Sequence, residues 1–111
     1  MNCIKCKENN LECRQSIQTE LEDRPIYIYY QWWECKLCGT KYYGILEDSR
    51  VNIFDDTLEH SGYYAQEKDW QGSLNWALQC PNPKNPQCKC LVHQEVPPSG
   101  FFGDSAWYTN D

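Results

Sequence analysis

The sequence predicts a small, mainly β domain built on an antiparallel sheet with minor helix. Its 111 residues suffice for one hydrophobic core, so we expect a single domain. The apolar content is rich in aromatic residues, with 8 Tyr, 5 Trp and 3 Phe against one Met, and aromatic side chains favour strands. Eight cysteines in closely spaced groups indicate cross-links or metal sites that stabilise this sheet.

The longest aromatic run predicts the central hairpin of the sheet. Residues 26–34 are nearly all strand formers, and their alternation places Trp32 and Trp33 on opposite faces. A turn follows at 35–39, where Gly39 supplies the left-handed backbone that such turns need. Residues 42–46 are then predicted to form the returning antiparallel strand.

The remaining elements are predicted from shorter patterns. Alternating apolar residues favour a strand at 11–21, and the spacing of Trp70, Leu74 and Ala77 indicates one or two helical turns. We expect a turn at 47–49, a third strand at 50–54 ended by two aspartates, and a short strand at 62–65. The aromatic tail after Pro98 is predicted to pack back onto the sheet or to reach a partner.

The first metal-binding pattern pairs two distant Cys-x-x-Cys units. Each unit offers two thiolates from a tight turn, and two such units supply the four tetrahedral ligands that zinc prefers. The predicted ligands of this closed, structural site are Cys3, Cys6, Cys35 and Cys38.

The motifs Cys3-x-x-Cys6 and Trp33-x-Cys35-x-x-Cys38-Gly39-x-x-Tyr42 resemble those of zinc-ribbon proteins. The resemblance covers residues 1–46 and implies β-hairpins clamped by zinc. Zinc ribbons occur in transcription factors, ribosomal proteins, enzymes and interaction modules, so the resemblance implies architecture and leaves function open. The first Cys-x-x-Cys unit departs from the usual zinc-ribbon pattern, because it is followed by Lys7 where a glycine is common. A rubredoxin-like iron site is the alternative for the same four cysteines.

A second pattern lies in the irregular, proline-rich segment that follows the predicted helix. Its candidate ligands are Cys80, Cys88, Cys90 and His93. Four ligands favour a closed structural zinc that pins this loop, whereas a catalytic zinc keeps one position open for water.

The expected fold is therefore an antiparallel sheet with zinc-ribbon knuckles and a second metal-pinned loop. It is one domain (1–111) with a ribbon-like part at 1–46, an acidic part at 47–79, the second cluster at 80–96, and a linker and tail at 97–111.

Disulfide bonds are the alternative use of the cysteines. The start of the sequence has no apolar stretch typical of a signal peptide, which favours reduced thiols and a cytoplasmic setting. Cys13 stands outside both patterns and is expected to be a buried thiol, and His60 a solvated loop residue. No catalytic residue is assigned.

Composition and charge favour a protein partner. The formal net charge is −6, which opposes binding to phosphate backbones but suits a basic protein. No apolar run approaches the length needed to cross a membrane, so we expect no membrane partner. The lysines near the knuckles are expected to offset thiolate charge: Lys5, Lys7, Lys36, Lys41, Lys84 and Lys89. We therefore expect a non-enzymatic binding module stabilised by two zinc ions, in its narrowest form an acidic inhibitor or immunity-type protein. The alternatives are a nucleic-acid-binding zinc ribbon and a zinc-dependent enzyme.

Overall fold

Five antiparallel strands form one sheet in which the spatial order follows the chain order. The computed structural model describes residues 3, 10–20, 26–52, 55–98 and 100–110. The elements are β1 (Leu11–Glu20), β2 (Ile26–Cys35), β3 (Lys41–Asn52), β4 (Asp55–Tyr64), α1 (Glu67–Ala77), α2 (Leu91–Glu95) and β5 (Ser105–Asn110). The predicted mainly β, antiparallel fold with minor helix is confirmed. Neither described helix is long and apolar enough to cross a membrane.

The strands that follow the central hairpin differ from the sequence expectation. No turn forms at 47–49, because β3 continues to Asn52 and β4 begins at Asp55. The predicted strands at 50–54 and 62–65 are therefore wrong as separate elements: residues 50–52 end β3 and residues 62–64 end β4, whereas 53 and 54 lie outside the described residues. Residues 47–49 contain no glycine or proline to end a strand, and the half-buried Glu47 lies between Ile28 of β2 and Glu59 of β4.

The main core lies between one face of the sheet and the chain that connects β4 to β5. Trp32, Tyr43 and Ile17 on the sheet pack against Trp70 and Leu74 of α1. Other members of this cluster are Ala77, Cys80, Val92 and Phe101. The tail returns after this excursion and pairs with β4 as strand β5, which confirms that it packs on the sheet.

The opposite face of the sheet carries a second set of rings over two glycines. Adding a Cβ to Gly44 would bring it to 2.9 Å from the indole nitrogen of Trp33, and one on Gly62 to 2.2 Å from the ring of Trp107. His60 lies between these indoles, with ring centroids 6.1 Å from Trp33 and 5.4 Å from Trp107. The expectation of a solvated loop histidine is wrong, since His60 is a half-buried residue of β4.

Gly62→Ala is expected to destabilise the protein by about 1–3 kcal/mol, because the added methyl overlaps the Trp107 ring and pushes β5 from the sheet. Gly72→Ala is the matched control. Its Cβ would meet nothing within 4 Å, and alanine is the better helix former by about 1 kcal/mol, so this variant should be more stable. Urea denaturation of both variants checks the prediction, and a Gly62→Ala protein as stable as wild type would contradict it.

Burial lowers the pKa of His60 below its usual value of 6.5. The unfolded chain therefore binds this proton more readily, so the stability that neutral His60 contributes is complete above pH 6.5 and falls as the pH drops through the folded pKa. An NMR titration of the imidazole measures the pKa directly. His60→Gln should remove this part of the pH dependence, and a measured pKa at or above 6.5 would overturn the prediction.

Candidate metal centres

The first centre lies at the turn between β2 and β3. The sulfurs of Cys3, Cys35 and Cys38 approach one another closely enough to bind one ion, within 4.8 Å. Cys3 and Cys38 are 3.7 Å apart, and a tetrahedron with metal–sulfur bonds of 2.3 Å has sulfur–sulfur edges of about 3.8 Å. The fourth predicted ligand, Cys6, lies outside the described residues. The structure thus brings three of the four predicted ligands together.

Backbone contacts fix the shape of this turn. Cys35 ends β2, its carbonyl accepts a hydrogen bond from the amide of Gly39, and Gly39 has a φ of 77°. The amide of Cys38 points at the Cys35 sulfur at 3.5 Å, and the amide of Lys36 bonds to the carbonyl of Asn10 at 3.0 Å. The turn is consequently tied to the chain that precedes β1.

Two hydroxyl groups contact the sulfurs of the first centre. The Tyr42 hydroxyl lies 3.2 Å from Cys3 and the Thr40 hydroxyl 3.1 Å from Cys38. Hydrogen bonding to Thr40 lowers the pKa of Cys38 to about 6, so this thiol is largely a thiolate at neutral pH. The sequence alone assigned no role to Thr40, and it indicated Tyr42 only as the last residue of the zinc-ribbon motif.

The second centre contains all four of its predicted ligands. Cys80, Cys88, Cys90 and His93 place one ligand atom each within 4.8 Å of the others. Sulfur–sulfur distances are 3.9 Å for Cys80–Cys88 and 3.4 Å for Cys80–Cys90, and Nδ1 of His93 lies 3.1 Å from Cys80. These distances are similar to those between neighbouring ligands of a tetrahedral metal ion, which are about 3.8 Å for two sulfurs.

Local structure explains how these ligands converge. Cys80 follows the last turn of α1 and is buried, whereas Cys90 caps the start of α2 and accepts a hydrogen bond from the amide of His93. The Cys90-x-x-His93 spacing therefore places both ligands at the first turn of one short helix. Cys88 is held by a turn in which its amide bonds to the carbonyl of Asn85.

The thiols of the second centre differ in acidity. Burial raises the pKa of Cys80 to about 12, with its contacts to neighbouring thiols adding to the effect. Burial also acts on Cys90, but the hydrogen bond from the backbone amide of His93, together with contacts to the His93 ring and the neighbouring thiols, outweighs it and lowers the pKa of Cys90 to about 6. The Cys90 thiol is therefore more acidic than that of Cys80, and a bound divalent cation would displace the protons of its thiol ligands.

The ring of His93 also contacts the edge of the sheet. Its Nε2 lies 3.1 Å from the carbonyl of Gln18 in β1, a distance at which the Nε2–H donates. A proton on Nε2 leaves Nδ1 free to bind a metal, as in other histidine ligands oriented by a carbonyl. The amide of Gln18 donates to the carbonyl of Pro83 at 2.8 Å, so the loop pairs both backbone groups of this edge residue.

Cys13 lies apart from both centres. It is exposed at an irregularity of β1, so the expectation of a buried thiol is wrong. No disulfide bond links any two of the seven cysteines that the structure describes. Among them the disulfide alternative does not apply, since a disulfide needs sulfurs at about 2.05 Å.

The lysines beside the first centre face carboxylates. Lys36 pairs with Glu12 at 3.0 Å, and Lys41 pairs with Glu34, which also binds Arg14. The ring of Trp70 also lies under the Lys41 ammonium, 5.0 Å away. Lys5 and Lys7 lie outside the described residues. Of the six lysines, at least these two have carboxylate partners that compete with phosphate.

No protein-family profile, curated protein or solved structure matches this chain. The cysteine and histidine groups could hold two metal ions, and this capacity rests on the geometry above.

Proposed function

We propose that the chain is a non-enzymatic protein-binding module, stabilised by two zinc ions, whose partner is a basic protein. The observation that carries the proposal is the exposure of three aromatic side chains, one at the end of β4, one in the loop before β5 and one in β5. Tyr64 is 40% exposed, Phe102 60% and Tyr108 60%. Tyrosine and other aromatic residues are enriched where proteins bind one another, and the net charge of −6 favours a partner of opposite charge.

The donor sets support zinc in a structural role. Thiolate-rich tetrahedral sites suit zinc, and the four protein ligands of the second centre leave no position for a reacting water. A thiolate-rich site is also a weak source of metal-bound hydroxide. These arguments favour binding over the zinc-enzyme alternative, and elemental analysis of the purified protein separates zinc from iron.

In its narrowest form, the proposed module is an acidic inhibitor or immunity-type protein. A small acidic domain that covers a basic surface of an enzyme or toxin would use its aromatic residues as anchors and its carboxylates for rapid association. Binding to single-stranded RNA or DNA is the competing function, and the same capture experiment tests it when nuclease is added.

The test is affinity capture by the tagged, zinc-loaded chain from extracts of its source cells, followed by titration of the purified candidate partner. We expect a basic protein that is retained at about 0.05 M salt and weakened at about 0.5 M, where screening shortens the reach of charges. The matched variant replaces Tyr64, Phe102 and Tyr108 with serine and should lose the partner while keeping both ions. Capture that nuclease abolishes, or equal capture by the variant, would contradict the proposal.

A further inference from the structure

A groove opens where the end of β4 meets the start of α1 and the loop before β5. Its volume is about 430 Å³. The groups that matter for recognition are the exposed ring of Phe102 beside the buried Tyr43, and two carboxylates, Asp69 and Asp104. The groove is thus lined by aromatic and acidic groups together, whereas none of its described lining residues is basic.

The rings are held by packing on the sheet. Tyr43 is buried, and its ring stacks on Phe101 with centroids 4.6 Å apart. Phe102 packs edge-on against Tyr63 at 5.6 Å, and Tyr64 lies against Tyr42 at 5.4 Å. The exposed part of Phe102 therefore faces solvent as a fixed surface, which loses little freedom when a ligand binds, whereas the ring of Tyr64 lies on the face of the sheet that bears Tyr42.

The backbone of the loop is equally fixed. The amide of Tyr64 donates to the carbonyl of Asp104 at 2.9 Å. A Cβ on Gly103 would lie 2.9 Å from the carbonyl oxygen of Tyr64, so the loop approaches β4 as closely as a glycine permits. The groove is consequently preformed in the free protein.

Among the described residues, neither carboxylate of the groove has a cationic partner. The three ion pairs of the described chain use Glu12 and Glu34, and neither Asp69 nor Asp104 takes part in them. Burial raises the pKa of Tyr43, and the charge of Asp69, which lines the same groove, acts in the same direction. Both aspartates are exposed, so their charges are available to a ligand.

We propose that this groove receives an arginine or lysine side chain of the partner protein. A cation is attracted both by the faces of aromatic rings and by unpaired carboxylates, and the alkyl stem of either side chain suits the apolar walls. The inference rests on the proposed function for the identity of the partner, because it names the part of the binding surface that recognises basic residues.

The test uses the ¹⁵N-labelled, zinc-loaded chain and the peptide acetyl-Gly-Arg-Gly-amide, with the lysine peptide as a second probe. Saturable shifts are expected for the amides of Tyr64, Asp69 and Phe102. The citrulline peptide, which has the shape of arginine without its charge, should bind roughly tenfold more weakly. Phe102→Ala should weaken the arginine peptide roughly two- to fivefold, as expected for loss of one cation–π contact.

A pair of double variants distinguishes binding in the groove from a general effect of net charge. D69N/D104N should abolish the shifts, whereas E20Q/E95Q makes the same change in charge at exposed residues outside the groove and should leave binding within about twofold. Shifts located elsewhere, equal binding of the citrulline peptide, or equal loss in both double variants would each overturn the inference.

Partner capture distinguishes this inference from the proposed function. If D69N/D104N binds the identified partner as tightly as wild type, the groove is not the recognition site although the protein-binding function stands. If wild type captures no partner but the arginine peptide saturates the groove, the peptide site stands and the proposed function fails.

Discussion

Cys80→Ser is expected to release one of the two metal ions and to free the segment 80–98 from the edge of the sheet. Cys80 is the buried ligand of the second centre, and its sulfur contacts Cys88, Cys90 and His93. Structural zinc contributes about 10–16 kcal/mol to the folding of small zinc peptides. That is as large as the whole stability of a typical domain, about 5–15 kcal/mol. Among the described residues, the other contacts that hold this segment include the buried side chain of Val92 and the hydrogen bonds to Gln18 and Glu20.

Two measurements test the loss of the ion and the release of the loop separately. Native mass spectrometry should find one zinc ion per chain instead of two, and hydrogen exchange at the amide of Gln18 should become fast because its acceptor, Pro83, is released. Cys13→Ser is the matched control, since Cys13 is an exposed cysteine outside both centres. Two retained ions in Cys80→Ser, or an unchanged Gln18 amide, would show that the second centre does not hold the loop.

The two centres stabilise opposite ends of the β1–β2 hairpin. Leu11 pairs with Cys35 at the first centre, and Gln18 contacts His93 at the second. Seven residues of extended chain separate Leu11 from Gln18, or roughly 23 Å. Each centre therefore holds a described part of the chain that belongs to no strand: Cys3 at one end, and the proline-rich loop at the other.

Residue spacing made the metal centres predictable. A Cys-x-x-Cys turn and a Cys90-x-x-His93 helix start are local, so their geometry follows from a few residues whatever the rest of the fold. The alternation in β2 was equally informative: Trp32 packs in the main core and Trp33 on the opposite face.

Other features depend on contacts that no local pattern encodes. The carbonyl of Gln18 that orients His93 belongs to the backbone, so any residue could supply it. The place of His60 between two indoles follows from pairing β4 with β5, and β5 lies about 45 residues further along the chain. The length of β3 was missed because Glu47 and Asp48 suggested a turn, although half-exposed positions in a wide sheet accept charges.

Trp32→Ala is expected to lower the free energy of unfolding by about 3–5 kcal/mol, the usual loss for removing a buried aromatic side chain. Trp32 is fully buried, with its ring edge-on to Tyr43 at 6.2 Å and to Phe101 at 5.7 Å. Its indole N–H donates to the hydroxyl of Ser73 in α1 at 2.9 Å. One side chain therefore joins the sheet, the helix and the loop that bears the groove.

Two variants test whether burial or hydrogen bonding dominates. Trp33→Ala makes the same change one residue along β2, on the face that α1 does not cover, and should cost less because Trp33 is only half-buried. Ser73→Ala should cost about 1–3 kcal/mol, since it leaves the N–H of Trp32 without its acceptor. Urea denaturation followed by far-ultraviolet circular dichroism measures all three. A loss in Trp33→Ala as large as in Trp32→Ala would mean that the two faces of the sheet contribute equally, and that the core between sheet and α1 does not dominate stability.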